Sequence, residues 1–157
     1  MQEDKNYSKM ELIFADDIMT DNVAVIKPDM LIGQVAHRML RERVSGYPIV
    51  DEQNHVIGIV TLTDLFLLLN RIVKEVELSA LKGEKESLQN KIEEYKNLAV
   101  SKIMSTQVVS ISPATPLNKI IEAVVSSNIH TFPVMENNKL VGIIGRHDVL
   151  NATFVYG

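Results

Sequence analysis

The apolar positions change period along the chain, and they do so twice in the same order. Val23-Ala24-Val25-Ile26 is short and rich in β-branched residues, which predicts a strand. After Pro28-Asp29, Leu31, Ile32, Val35, Ala36, Met39 and Leu40 recur at helical spacing behind Asp29, a candidate N-cap. Pro48 to Val50 and Val56 to Val60 then read as strands on either side of a polar turn, and Thr61 opens a second helix. The order is β-α-β-β-α. The second pass runs from a strand at Val108 to Ile111, through Thr115 as cap with Pro116 at the first helical position, to a helix over Leu117 to Val125. Strands at Pro133 to Met135 and Leu140 to Ile144 complete it.

The two passes are copies. Ile18-Met19-Thr20, Val23, Pro28, Tyr47-Pro48-Ile49-Val50, Gly58-Ile59 and Asp64-Leu65 recur as Ile103-Met104-Ser105, Val108, Pro113, Phe132-Pro133-Val134-Met135, Gly142-Ile143 and Asp148-Val149. Ile103 follows Ile18 by 85 residues and Gly142 follows Gly58 by 84, so one residue is missing from the second copy. The gap falls where Asp51-Glu52-Gln53-Asn54-His55 faces Glu136-Asn137-Asn138-Lys139, a polar turn, where length changes are tolerated. Repeated strand–helix units predict a mixed α/β (α+β) fold in which the copies pack sheet to sheet about a pseudo-twofold axis. The expected division is an N-terminal extension over 1–14, a first repeat over 15–68, a helical linker over 69–99 and a second repeat over 100–157. Residues 1 to 12 carry little pattern beyond a helical start.

Leu67 to Leu98 is rich in Lys and Glu, with Gly83 near its middle and Leu78, Leu81, Leu88, Ile92 and Tyr95 on a 3/4 spacing interrupted by Lys85. Two helices or one kinked helix fit this pattern. The segment is either an amphipathic linker laid on its own domain or an arm for dimerisation or a partner, since it has too few heptads to settle for a coiled coil.

Composition narrows the function classes. At 157 residues the chain has the size of a single domain and no room for an added catalytic one. A net charge of −4, with no basic cluster beyond Arg38-Arg41-Arg43, argues against nucleic acid. Cysteine is absent, which removes disulfide and thiolate chemistry. The acidic, polar start is unlike a signal peptide, and the apolar run Phe66 to Leu69 is far shorter than the ~20 residues of a membrane span. No membrane partner and a cytoplasmic location are therefore expected.

Gly58-Ile59-Val60-Thr61-Leu62-Thr63-Asp64-Leu65 joins a strand end to a helix start, where free backbone N–H groups suit a phosphate. Gly58 leaves space near the backbone, Thr61 offers a hydroxyl, and Asp64 can accept hydrogen bonds from the vicinal hydroxyls of a ribose. The same Thr61-x-x-Asp64 is also a helix capping box with Asp in place of Glu. His37, His55, His130 and His147 lack metal-ligand spacing. Asp16-Asp17 suit a cap on the Ile18-Met19 turn, and Met10, Met19, Met30, Met39 and Met104 suit core or cleft wall. Tyr47 and Phe132 suit either stacking on a base or core packing. No nucleophile, base and orienting group assemble from these motifs, so an enzyme is not expected.

The features repeated in register, from Ile-Met-Thr and Ile-Met-Ser through Tyr47-Pro48 and Phe132-Pro133 to the Gly-x-x-x-x-x-Asp endings, resemble the cystathionine-β-synthase (CBS) domain family over residues 15 to 68 and 100 to 152. Tandem pairs in that family, called Bateman modules, commonly bind adenosine-containing nucleotides in two clefts between the copies. The resemblance implies a first site with Thr61 and Asp64, and with Ser105, Val108, Ile129, His130 and Phe132 near the base. It implies a second with Asp148, and with Thr20, Val23, Val44, Ser45 and Tyr47 around the base. There Gly145 replaces the threonine, and Arg146 follows at once as a group able to grip phosphate. The implied protein is a stand-alone regulatory module, forming a homodimer and signalling to an effector protein. Its ligand would be AMP, ADP, ATP, S-adenosylmethionine or cyclic di-AMP, with no cofactor required. A ligand-free structural or interaction protein acting through Leu67 to Leu98 is the alternative.

Overall fold

The computed structural model describes residues 13–155, so the expected helical start over 1–12 and Met10 lie outside the described residues. The chain divides into two compact units, one formed by residues 25–107 and the other by residues 13–24 together with 108–155.

In the 25–107 unit, α2 (Ile32–Glu42) precedes a hairpin of β1 (Gly46–Val50) and β2 (Val56–Thr61), followed by α3 (Leu62–Leu81), α4 (Leu88–Lys96) and a 3₁₀ turn at Val100–Lys102. The other unit opens with the short α1 (Ala15–Ile18) and continues with α5 (Leu117–Ser127), a hairpin of β3 (Thr131–Glu136) and β4 (Lys139–Gly145), and α6 (Arg146–Phe154). Both hairpins are antiparallel, and both slip register at the same place, between Ile49 and Val50 and between Val134 and Met135. Their turns differ by the expected residue; left-handed Asn54 closes one, and Asn137 and Asn138 close the other. Asparagine tolerates that conformation, which explains why the turns can differ in length while the strands keep register.

The segments expected as outer strands, Val23–Ile26 and Val108–Ile111, form one rung each. Ile26 bridges Ile49 in parallel, donating to Pro48 O at 3.0 Å and accepting from Val50 N at 3.0 Å. Ile111 repeats this against Pro133 O and Met135 N at 3.0 and 2.8 Å. Pro28 and Pro113 lie two residues beyond each rung and cannot donate to a ladder, so pairing stops there.

Two helix starts also differ from expectation. Leu31, not Asp29, is the N-cap of α2; its amide donates to Gln34 Oε1 at 3.1 Å and the next amide, Ile32 N, to Leu98 O at 2.9 Å. Pro116 occupies the N-cap of α5 rather than its first turn, Leu117 N donates to Ile13 O at 2.8 Å, and Thr115 Oγ1 accepts from Ser112 N. In both cases carbonyls from distant chain satisfy the helix amides that side-chain caps would otherwise serve. At α1 the expected acid does act, with Phe14 N donating to Asp17 Oδ2 at 2.8 Å.

Helix α3 runs without a break across the expected repeat–linker boundary to Leu81, and Gly83, at φ +76°, sits in the turn before α4. Of the two linker readings, the fold realises two helices laid back on their own unit, since α4 packs against α3 and α2. Ile92 and Tyr95 are half-buried, and the Tyr95 hydroxyl donates to Glu75 at 2.8 Å. Leu78 and Leu81 remain exposed. Among the described residues no helix is long and apolar enough to cross a membrane.

The repeated Ile-Met-Thr/Ser segments have a structural task. Ser105 and Ile59 exchange backbone hydrogen bonds of 2.8 and 2.9 Å, and Thr20 and Ile143 do the same at 2.9 and 3.0 Å. The preceding methionine then lies on a hairpin glycine. A Cβ on Gly58 would stand 2.6 Å from Met104 Sδ and 3.0 Å from Ser105 O, and one on Gly142 would run into Met19. The space beside Gly58, read from the sequence as room for a ligand, is filled by Met104. Overpacking of this kind typically costs about 1–3 kcal/mol. Gly58→Ala is therefore expected to lose stability in chemical denaturation, and to lose measurably less when Met104 is also Ala. If the two substitutions add to within about 0.5 kcal/mol, the methionine is not what excludes the methyl group.

Candidate functional site

Each unit turns a corner from strand to helix, and each corner holds an aspartate at the third helical position. At the first, Asp64 Oδ2 accepts from Thr61 N at 2.7 Å and from Thr61 Oγ1 at 3.1 Å, while Asp64 N donates to Thr61 Oγ1 at 3.4 Å. At the second, Asp148 Oδ2 accepts from Gly145 N at 2.7 Å. The capping box is thus built at Asp64, and its acidic half persists at Asp148 without the hydroxyl. In both carboxylates the bonds fall on Oδ2; among the described residues Oδ1 accepts none. Both aspartates are half-buried. An ionised carboxylate has about four acceptor positions, so capping leaves a fixed, oriented oxygen able to take hydroxyl donors.

The 25–107 unit brings Val44, Ser45, Tyr47 and Ser105 together with Thr61 and Asp64. Gly46 pairs with Thr61, Leu62 N donates to Ser45 O at 2.9 Å, and Ser105 lies on Ile59. The other unit holds Thr20, Val23, Val108, Ile129, His130, Phe132, Arg146 and Asp148, with Thr20 bonded to Ile143 and Thr131 paired with Gly145. The sequence reading grouped Val44, Ser45 and Tyr47 with Asp148, and Val108, Ile129, His130 and Phe132 with Asp64. The structure puts each of these sets in the unit of the opposite aspartate.

Tyr47 and Phe132 take the core alternative, with both rings buried. The Tyr47 hydroxyl reaches out to donate to Glu42 Oε2 at 2.5 Å, and the Arg38 guanidinium lies 5.2 Å from the ring centre while its Nε donates to Glu42 Oε1 at 3.0 Å. Burial, followed by the bond to Glu42, pushes the Tyr47 phenol far above its ordinary range, and the Tyr47 hydroxyl and then Arg38 hold Glu42 below the usual carboxylate range. Sequence reasoning missed Glu42, although Arg38 and Glu42 stand at the i,i+4 spacing of a helical ion pair.

Arg146 and His147 are exposed at the start of α6, and Thr20 is exposed at its bridge to Ile143. His130 is half-buried, and its Nδ1 is buried with no hydrogen-bond partner among the described residues. A cavity of about 320 Å³ lies elsewhere in the 25–107 unit, among α2, α3 and α4. Ile32, Ala36, Leu65, Leu68, Ile72 and Ile92 are among its walls, Tyr95 and Lys96 are its polar-tipped members, and no carboxylate lines it. Its apolar character suits packing rather than a nucleotide, so the aspartate corners remain the chemically equipped places.

Comparison with known proteins agrees with this architecture. The family model for the CBS domain matches residues 15–71 and 100–154. Protein MJ1225 of Methanocaldococcus jannaschii is 29% identical over 136 residues, which are 86% of this chain and 45% of that protein. Its crystal structure superposes with a TM-score of 0.71 at 27% identity, over 88% of this chain and 47% of that one. The chain spans between 23% and 45% of the length of three Methanocaldococcus jannaschii proteins that it matches. Two solved structures share the fold. CBSX2, in complex with AMP, superposes with a TM-score of 0.67 at 22% identity, covering 88% of this chain and 94% of that one. The CBS domain pair of protein MJ0100, in complex with 5′-methylthioadenosine and S-adenosyl-L-methionine, has a TM-score of 0.63 at 18% identity over 89% of this chain and 94% of that one. With the family model covering both copies and the solved neighbours sharing their fold, the chain belongs to the CBS domain family, as a tandem pair.

Proposed function

We propose that this CBS pair is a regulatory module, acting in the cytoplasm, that binds an adenosine-containing ligand at its two aspartate corners and passes the ligand state to a partner protein. The observation that carries the reading is the carboxylate geometry. Asp64 and Asp148 occur at matching positions of both copies, each pinned through Oδ2 and each with Oδ1 uncommitted among the described residues. A pinned acceptor beside a strand-to-helix turn is suited to a ribose diol, with Thr61 or Arg146 next to it for a 5′ substituent. The AMP held by CBSX2 and the 5′-methylthioadenosine and S-adenosyl-L-methionine held by MJ0100 supply the class of ligand to try, since those proteins share the fold. The reading includes AMP, ADP, ATP, S-adenosylmethionine and cyclic di-AMP, and takes residues 15–68 and 100–157 as the repeats joined by 69–99. It assigns no reaction, because an acceptor carboxylate with a hydroxyl or a guanidinium provides for binding and not for bond cleavage.

Thermal unfolding of the full chain tests it. A ligand at a hundred times its dissociation constant adds about 2.7 kcal/mol to the folded state. At least one of AMP, ADP, ATP, S-adenosylmethionine, NAD and cyclic di-AMP is expected to raise the melting temperature, and Asp64→Ala and Asp148→Ala each to remove part of the rise. No shift with any of the six sinks the reading.

The apolar exposure of the helices favours a second copy as one partner. Leu40 on α2 and Phe66 on α3 are 72% and 69% exposed, and Val125 on α5 and Phe154 on α6 are 81% and 84% exposed. Exposed large apolar groups on the corresponding helices of both units are what a self-association surface supplies. The double variant Leu40→Glu, Phe66→Glu is expected to lower the mass measured by light scattering from that of two chains to that of one. A wild-type chain that is already monomeric overturns the homodimer. The same exposure, with the capping box closed at Asp64, favours the second reading of an interaction protein without ligand, which gains if all six ligands fail.

A further inference from the structure

The chain's one basic cluster has no part in the corner chemistry. Arg38, Arg41 and Arg43 are three of the five arginines in the sequence, and no other Lys or Arg stands between Lys27 and Arg71. They gather at the C-terminal end of α2, where Arg41 and Arg43 are exposed.

The duplication shows what the fold itself requires at that end. Helix α5 has the same 11 residues as α2 and stops in the same way, on a left-handed residue, Asn128 at φ 55° against Arg43 at φ 56°. Yet Arg38, Arg41 and Arg43 stand where α5 has Ala123, Ser126 and Asn128, and Glu42 and Tyr47 stand where the second copy has Ser127 and Phe132. The same helix end is therefore built without any charge. A cation near a helix C-terminus gains from the dipole, which accounts for one arginine in the last turn and not for three.

Arg43 is the sharper observation. Among the described residues five non-glycine residues have a positive φ, and the other four, Asn54, Asn128, Asn137 and Asn138, are all asparagine. The short polar side chain of asparagine suits that conformation, whereas arginine has no such means of relieving it. A residue kept in a disfavoured backbone conformation points to a task other than stability. Glu42, the acid next door, does not neutralise this end, because its Oε1 accepts from Arg38 Nε at 3.0 Å and its Oε2 accepts from the Tyr47 hydroxyl. The guanidiniums of Arg41 and Arg43 have neither an ion pair nor a hydrogen bond among the described residues.

We propose that the C-terminal end of α2 is a docking site for an acidic segment of a partner protein, gripped by Arg41 and Arg43. This rests on the reading that the module acts through a partner protein, and on nothing about its ligand. Guanidinium groups pair bidentately with carboxylates, which lysines cannot do. The chain as a whole carries a net charge of −4, so an acidic partner is repelled by most of its surface and steered to this end. Nucleic acid typically engages about six to ten phosphates, and stable membrane binding needs a second anchor beside a basic patch. Two free guanidiniums on one helix end match a short run of carboxylates better than either.

Fluorescence anisotropy of the full chain with a labelled oligoglutamate peptide tests the site. Binding is expected, and it should weaken as salt is raised. The double variant Arg41→Ser, Arg43→Asn, which installs the residues of α5, is expected to bind the peptide at least about tenfold more weakly. Lys82→Ser, Lys85→Ser removes the same charge from the exposed turn after α3 and is expected to leave the affinity unchanged. Arg43→Asn alone is expected to melt no lower than the wild-type chain. Equal weakening by the two double variants reduces the attraction to net charge and overturns the site, and so does tighter binding of the wild-type chain to phosphatidylserine vesicles or duplex DNA than to the peptide. A lower melting temperature for Arg43→Asn assigns that arginine to the fold and overturns it as well. Absence of peptide binding overturns the docking site alone, since a thermal shift with an adenosine ligand is measured without the peptide and stands or falls by itself.

Discussion

The structure depends on two short backbone exchanges, Ser105 with Ile59 and Thr20 with Ile143, each locked by a methionine lying on a hairpin glycine. A two-stranded hairpin is marginal in water, and its edges present unpaired amides and carbonyls. Here each hairpin is flanked on both sides. One edge is met by a single rung from its own repeat, Ile26 on Ile49 or Ile111 on Val134, and the other by the opening segment of the opposite repeat. Neither copy can finish its own sheet. The opening segment of the second repeat completes the first hairpin, and the opening segment of the first completes the second, so the units that pack are not the units that were duplicated.

That exchange explains which parts of the fold were legible in the sequence. The hairpins could be read because their strands, polar turn and register are contained in some fifteen residues. The helices could be read because their apolar stripe repeats at 3/4 spacing. The helix starts at Leu31 and Pro116 could not, since the carbonyls that serve their leading amides, Leu98 O and Ile13 O, come from far along the chain. Val23–Ile26 and Val108–Ile111 have the composition of strands, yet composition does not say how many rungs a following proline will permit. Gly58 was read as leaving space beside the backbone for a ligand, and the fold fills that space. The approaching group is Met104, 46 residues later, and no local pattern announces that.

At the candidate corners the local hydrogen bonding of the acids was legible in the sequence, and the packing of the neighbouring residues was not. Capping box and ribose acceptor looked like competing readings of Thr61-x-x-Asp64, but a carboxylate has two oxygens, and the fold uses only Oδ2 for the cap. The cap then orients the acceptor and leaves it usable. The hairpins join 44–47 to 61–64 in one unit and 129–132 to 145–148 in the other, a pairing set by strand register and not by any local motif. Tyr47 and Phe132, which an aromatic-stacking argument would favour, are core residues at the centre of those same hairpins.

The corner chemistry also shows why the copies were free to diverge where they did. The bond common to both corners comes from a main-chain amide, Thr61 N or Gly145 N, and any residue except proline supplies it. Losing the hydroxyl at that position costs little, because replacing a threonine N-cap by glycine typically removes only a few tenths of a kcal/mol. The next position is half-buried as Leu62, within the wall of the apolar cavity, but exposed as Arg146, where a charge disturbs no packing. Positions 145 and 146 could therefore change almost independently of stability, while the glycines, their covering methionines and the capping aspartates are tied to the fold itself. A duplicated scaffold whose shared bonds come from backbone can change the side chains at a corner without changing how the corner is built.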